Sequence, residues 1–452
     1  MLIKENDSKR SSGFTPDRLD AVIRFFLYVF IFWLPYSKAV LEICVIAALA
    51  VWIIKRIWLW GQQKRPLNFQ NLIISLKPVD SPLNRPIYFF LLACFLSAIT
   101  SFFWERAIVG FLAKTAEWFV IYFLVIEVFK EKKHIYTALG ILLFTALATS
   151  FDSIRQYYWA YKDIFFGYPL TNDRRATAAF SHPNSLGGFM AVVIPVVFSG
   201  LFLRNKKLFF KFTPVLLILM IWSLVLSFSR ASWLGDILGV SFFAFGIRKK
   251  VFLKVILIMC IAAAMLMPLF LESPQLREEF RLSDQNISTT ANWRWQLWED
   301  SLAMIKEKPF LGHGLNTFMI LFQEYRGNIS GRSGQMGDPT YAHNTFIQMT
   351  TETGILGLAM FLWIIKAIFI VPFNFIRQKG NEDIKIILLG CLSGILAFFI
   401  QSLADNNFYS LQLSSFFWYM VGVSFACVKL LSNNDSCGIK DVPNSKPNEF
   451  IK

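Results

Sequence analysis

Few side chains in this sequence are equipped for acid–base or anion chemistry, and they are unevenly placed. The 452-residue chain has four histidines. His134 sits in the basic turn Lys130-Glu-Lys-Lys-His134, where solvated charge accounts for it. His182, His313 and His343 each lie in a segment of unusual texture. An imidazole titrates near neutral pH and can take a proton from a hydroxyl. Arginines stand near these segments. A guanidinium grips phosphate oxygens through two parallel N–H bonds and stays charged.

Four segments carry these residues. In the first, Arg174 and Arg175 precede Phe180-Ser-His182-Pro183-Asn184. Pro183 suits the first position of a helix, whose free N–H groups could face an anion. Ordinary helix entry with interface-anchoring cations fits equally well. The second is Ser227-Phe-Ser229-Arg230-Ala-Ser-Trp233-Leu234, between two apolar runs. An arginine at a span end can snorkel to water, so position alone does not assign it a role. The third is Asn292-Trp-Arg294-Trp-Gln-Leu-Trp298, followed by Gly312-His313-Gly314-Leu-Asn316. There, cation–π contacts and a common glycine turn are the plain alternatives. The fourth is Tyr341-Ala-His343-Asn344-Thr345, leading to Glu352-Thr-Gly354-Ile-Leu-Gly357. On a helix starting near His343, Thr350 and Gly354 fall within about 20° of the histidine and Gly357 within about 40°. Those small residues would leave a groove below the imidazole or a helix–helix seam. Glu352, about 180° round, cannot orient that histidine from the same helix.

The elements that position these segments are helices in a membrane. Apolar residues make up 55% of the chain and charged residues 17%, and mean hydropathy is +0.49. That balance excludes a large soluble domain, a disordered chain and a disulfide-stapled module. Twelve apolar stretches are read as spans: 21–36, 39–58, 87–104, 107–129, 135–151, 186–203, 209–228, 231–247, 251–271, 353–376, 385–403 and 412–431. Residues 209–228 and 231–247 are expected to form a tight hairpin with Ser229 and Arg230 at its tip. The first run is read as a span rather than a cleaved signal. With the N-terminus inside, the inner segments hold 28 of the 45 Lys and Arg, and the short outer connections hold only Lys38, Arg106 and Arg230. The positive-inside rule then puts residues 1–20 and 432–452 in the cytoplasm, and orientation explains the +15 charge without nucleic acid. Two outer loops are long, 152–185 and 272–352. The stretch Trp293 to Ile305 of the larger one reads as an amphipathic helix at the membrane surface. Cys44, Cys94, Cys260, Cys391 and Cys427 fall in spans and Cys437 in the tail, so no outer disulfide is expected.

The sequence lacks a phosphate-binding loop, an Asp-x-Asp pair, His-Glu-x-x-His, a Cys/His cluster and a Gly-x-Ser-x-Gly elbow. The polar equipment is therefore expected outside or within the spans.

Arg230 to Leu234 (Arg-x3-Leu), with His343, Asn344 and Gly354 (His-Asn-x9-Gly) and the Arg294-to-Trp298 and Gly312-to-Asn316 stretches between them, resembles the bacterial O-antigen ligases and the related O-antigen polymerases. The similarity is best from about 170 to 360. It implies an all-α polytopic membrane protein of about twelve transmembrane helices. A large periplasmic loop would separate helices nine and ten, and the fold would be similar to lipid-carrier glycosyltransferases. It implies a glycosyltransferase of the bacterial inner membrane with a periplasmic active site. The donor would be a glycan on undecaprenyl pyrophosphate, and a ligase's acceptor would be a sugar hydroxyl of lipid A–core. His343 would be the catalytic base. Arg230 and Arg294 would bind the donor pyrophosphate, and local chemistry adds Arg175 to them. His313, His182 and Asn184 are further candidates. The leaving group is already good, so charge stabilisation and a base suffice. Without an evident nucleophilic carboxylate, the expectation is a single inverting displacement with no metal and no cofactor. A polymerase with a carrier-linked acceptor is the nearest alternative. A secondary transporter is more distant, since paired interrupted helices are not evident.

Overall fold

In hydrocarbon every backbone polar group must be satisfied within its own segment, so long apolar runs fold as helices. The computed structural model describes residues 15–62, 69–171, 174–204, 212–272, 284–326 and 341–435. The N-terminal segment, residues 273–283 and 327–340 of the large loop, most of the C-terminal tail and Cys437 lie outside them. The helices, in chain order, are α1 (Pro16–Trp33), α2 (Lys38–Gly61), α3 (Phe69–Ser75), α4 (Asn84–Ile99), α5 (Trp104–Gly110) and α6 (Ala116–Val128). They continue as α7 (Lys132–Arg155), α8 (Pro183–Ser199), α9 (Thr213–Leu226), α10 (Arg230–Ile247) and α11 (Lys249–Glu272). The last are α12 (Asp284–Glu307), α13 (Phe318–Arg326), α14 (Thr345–Arg377), α15 (Glu382–Ser402) and α16 (Leu411–Asp435). A π-helical stretch, Phe111–Thr115, joins α5 to α6, and another, Gln156–Ala160, extends α7. Among the described residues there is no β-strand.

Each of the twelve apolar stretches overlaps a helix among the described residues. Six helical segments among the described residues are long and apolar enough to cross a membrane: Trp104–Val128, Lys132–Ala160, Pro183–Phe202, Thr345–Arg377, Glu382–Ser402 and Leu411–Ser432. The apolar helices α4 and α9 are shorter. The five cysteines in these stretches are free.

The centre of the bundle is α8, α15 and α16, apolar on nearly every face and buried accordingly. Trp418 and Tyr419 of α16 are fully enclosed. Helix α15 packs on α8, α10 and α16, and α16 also packs on α6. The outer helices turn large apolar side chains away from the protein, such as Ile43, Ile46 and Ile54 of α2 and Ile218 and Ile221 of α9. A face of that kind suits a lipid environment.

Two local expectations need correction. Helices α9 and α10 meet through a short turn, yet they do not form a tight hairpin, because α10 departs to pack on α8 and α15. Phe228, in the left-handed region (φ 50°), turns the chain. Helix α14 is also not continuous below His343. Gly354 has φ 66° and ψ −175°, which breaks the helix. A Cβ there would stand 2.1 Å from the Phe310 carbonyl oxygen, so only glycine fits. The loop 309–314 fills the break. Ile355 N–H donates to Pro309 O (2.8 Å), and His313 and Gly314 N–H donate to Thr351 O (3.0 Å) and Glu352 O (2.8 Å). Gly354 thus seats a loop of the protein itself, and no continuous groove runs along the helix below His343.

Candidate active site

Three helix beginnings meet at one end of the bundle. Helix α8 starts at Pro183, with His182 as its N-cap: the imidazole Nδ1 accepts from Asn184 N–H at 3.2 Å. Helix α10 starts at Arg230. Helix α14 starts at Thr345, where Asn344 Oδ1 accepts from Phe346 and Ile347 N–H at 3.0 and 3.1 Å, a cap typically worth about 1 kcal/mol. The first turns of α8 and α10 touch so closely that a Cβ on Gly187 would lie 2.7 Å from Ser232 Oγ. Side chains tie the starts together. Arg175 donates from Nε to Ser227 O (2.9 Å) and from its terminal nitrogen to Asn184 Oδ1. Gln401 Nε2 donates to Asn184 O at 2.8 Å, and Asn344 Nδ2 donates to Leu403 O at 3.0 Å. The positive ends of three helix dipoles therefore share one region.

His343 precedes α14 in the left-handed region (φ 47°), a conformation that costs energy outside glycine and clusters at functional positions. Its Nδ1 lies 3.5 Å from Asp405 Oδ1, and the Trp293 ring is 5.0 Å from the imidazole. Asp405 was missed by the sequence reading, because it belongs to the short turn between α15 and α16. The signal was a carboxylate followed by two asparagines, Asp405-Asn-Asn407, in an otherwise apolar connection. The turn is well fixed. Thr345 Oγ1 donates to Asp405 O at 3.1 Å. Gln348 Oε1 accepts from Ala342 N–H at 3.0 Å and from Asn406 Nδ2. One glutamine oxygen thus holds the residue before His343 and the residue after Asp405.

Burial pushes the Asp405 carboxyl up, but the neighbouring imidazole and charge of His343, with the Asn406 N–H and the charge of His182, outweigh it and bring it down to about 2. Burial lowers Arg294 from its usual value, with Arg230 acting in the same direction and Asp405 against it. Arg294 thus feels the charges of Asp405 and Arg230, and Asp405 those of His343 and His182. Arg294 Nε is buried with no hydrogen-bond partner among the described residues. A cation at the first position of a helix, as Arg230 is, opposes the dipole, so local helix stability does not account for it.

The sequence candidates divide into two groups. Arg230, Arg294, His343, His182, Asn184 and Arg175 come together, the last two joined to each other. His313 stands apart. It is buried, its Nε2 lies 2.9 Å from Met304 O, and its ring lies against Tyr325. Burial lowers its pKa. The stretch from Trp293 to Ile305 is helical as expected. Leu297 and Met304 of α12 pack on Phe318 and Phe322 of α13, while Trp295 and Leu302 are exposed. Glu352 forms a separate buried junction. It accepts from Asn316 N–H (2.9 Å), Tyr409 OH (2.8 Å) and Gln348 Nε2 (3.3 Å), with Lys114 Nζ on Asn316 Oδ1 at 2.9 Å.

A protein helical among its described residues, with helices long and apolar enough to cross a membrane and an arginine–histidine cluster at one end of its bundle, is the class defined by fold and site. Residues 215–362 match the family model described as O-antigen ligase. This segment is similar to that family, in keeping with the resemblance drawn from Arg230 and His343. It includes Arg230, Arg294, His343 and Gly354 and excludes Arg175, His182, Asn184 and Asp405. A Rickettsia conorii protein named "Putative polysaccharide ligase" is 27% identical over 246 residues, 52% of this chain and 54% of that protein. One of the same name from Rickettsia bellii is 30% identical over 178 residues, 38% of this chain and 41% of its own. A "ComP-specific O-oligosaccharyltransferase" of Acinetobacter baylyi is 23% identical over 275 residues, 60% of this chain and 46% of its own. The chain therefore spans about half the length of the curated relatives it matches.

Proposed function

We propose that the protein is a glycosyltransferase that moves a glycan from undecaprenyl pyrophosphate to a sugar hydroxyl of lipid A–core. Its site would face the periplasm from the bacterial inner membrane, with both termini in the cytoplasm. The observation that carries this reading is the meeting of Arg230, Arg294 and the His343–Asp405 pair at three helix N-termini. Such a place is suited to a pyrophosphate and to a base beside it.

In the proposed step the acceptor hydroxyl oxygen attacks the anomeric carbon while the bond from that carbon to the pyrophosphate oxygen breaks. The bond's electrons leave with the pyrophosphate. Arg230 and Arg294 meet the charge on that leaving group, and the unpartnered Nε–H of Arg294 is a ready donor. His343 Nε2 takes the hydroxyl proton. Its Nδ1–H faces Asp405, which fixes the tautomer and stabilises the imidazolium that forms. Arg175, already bonded to Asn184 and Ser227, holds the segments that carry Arg230 and His182. A single displacement inverts the anomeric centre. The arginines supply the positive charge, so the reaction proceeds without a divalent metal. Persistent loss of transfer in EDTA, restored by a divalent ion, would overturn that part.

The deciding experiment is transfer in vitro with the purified full chain, carrier-linked glycan and lipid A–core. Glycan should appear on lipid A–core with inverted linkage. Product only on a second carrier-linked glycan would make the protein a polymerase. No product with either acceptor, despite a folded protein, would sink the transferase reading.

A further inference from the structure

The opposite end of the bundle carries a second charged feature. Leu34, at the end of α1, meets the start of α16 through Gln412 Nε2, which donates to its carbonyl at 2.9 Å. From Leu411 to Lys429, α16 rises about 27 Å, away from the Asp405 turn. There Lys55 of α2, only 4% exposed, lies 2.6 Å from both Asp20 Oδ1 and Glu127 Oε1. Lys130 Nζ takes the other Asp20 oxygen at 2.6 Å. Arg56 and Trp52 take Glu127 Oε2 at 2.7 and 2.6 Å. Both carboxylates are thus saturated by their own partners.

An open pocket sits against this network. Lys55, Arg56, Lys77, Lys130 and Lys429 line it, with the carboxylates Glu127 and Asp80. Counting Asp20 behind Lys55, five cations face three carboxylates, a surplus of two positive charges. The Lys77–Asp80 pair is exposed and weak. Lys429 is in no ion pair among the described residues. Lys130, half exposed, uses one of its three donors on Asp20. The remaining wall is apolar: Ile74, Pro78 and Val79, with Ile74 exposed at the end of α3. Cations beside an exposed apolar wall, at the end of membrane-crossing helices, match a headgroup and its attached chain. A free anion would gain nothing from that wall.

We propose that this pocket binds the phosphate of an anionic phospholipid, with Lys429, Lys130 and Lys77 meeting the phosphate and Ile74, Pro78 and Val79 lying along the upper acyl chain. The site is independent of the transfer reaction. It is tested by native mass spectrometry of the full chain in detergent, titrated with phosphatidylglycerol, phosphatidylcholine or inorganic phosphate. Phosphatidylglycerol should be retained at least tenfold better than phosphatidylcholine. The K77Q/K429Q double variant, first shown to elute as the native protein does, should bind phosphatidylglycerol roughly 25-fold more weakly, at about fivefold per charge. K77R/K429R should bind normally. Equal retention of the two lipids, or unchanged binding by the double variant, would overturn the proposal. Displacement of the lipid by inorganic phosphate at equal concentration would reassign the pocket to a free anion.

Discussion

In the proposed mechanism one imidazole nitrogen of His343 is held and the other is free, and the carboxylate facing Nδ1 is Asp405, 3.5 Å away. Replacing His343 with Ala should lower transfer by about 10²–10⁴-fold while the protein still inserts and folds; near-normal transfer would end its assignment as base. Arg294→Gln should cost about 10²–10³-fold in turnover, by analogy with the loss of one oxyanion donor. Asp405 adds a pH signature. Its folded pKa, about 2, lies below the ordinary value of about 3.9. Its charge therefore stabilises the fold above about pH 4, and that contribution is lost as pH falls through 2. In thermal unfolding, the gap between wild type and Asp405→Asn should be fully present near pH 5 and narrow below about 4. Arg230, Arg294 and His343 were legible from residue type and motif. Asp405 was not: it lies 62 positions from its histidine, in a turn without a motif of its own.

At the scale of elements, the break in α14 ties the helix that begins after His343 to the loop 309–314. The left-handed Gly354 opens the helix, and the loop 309–314 takes the freed backbone groups. Gly354→Ala combines a strained φ, at about 1–3 kcal/mol, with a clash against Phe310. It should lower the melting temperature in detergent and reduce transfer together; a variant as stable and active as wild type would show that the break is dispensable. The spacing from His343 to Gly354 was visible in the sequence, but helical periodicity favoured a continuous helix. The partner that rewards the break lies some forty residues earlier. Chain geometry at one position does not reveal a ladder made with a distant loop.

At the scale of the molecule, the two ends of the bundle differ in how charge is handled. At the site end, Arg294 keeps an unpaired buried donor. At the other, Lys55 is enclosed with both of its partners. Lys55→Met would leave Asp20 and Glu127 short of a counter-charge in a buried place. It should destabilise the fold by about 3–5 kcal/mol, read as loss of the folded protein on heating or failure to accumulate in membranes.

The sequence by itself determined that the chain is rich in apolar helices, where those helices lie, and which histidine and arginines are candidates for the chemistry. Burial of apolar length and residue chemistry are local properties, written residue by residue. Only the tertiary structure decided that Asp405 faces His343, that His313 turns instead to Met304 O, and that α14 breaks at Gly354. Those outcomes depend on groups far apart in the chain meeting at distances of a few ångströms, and packing alone selects such meetings.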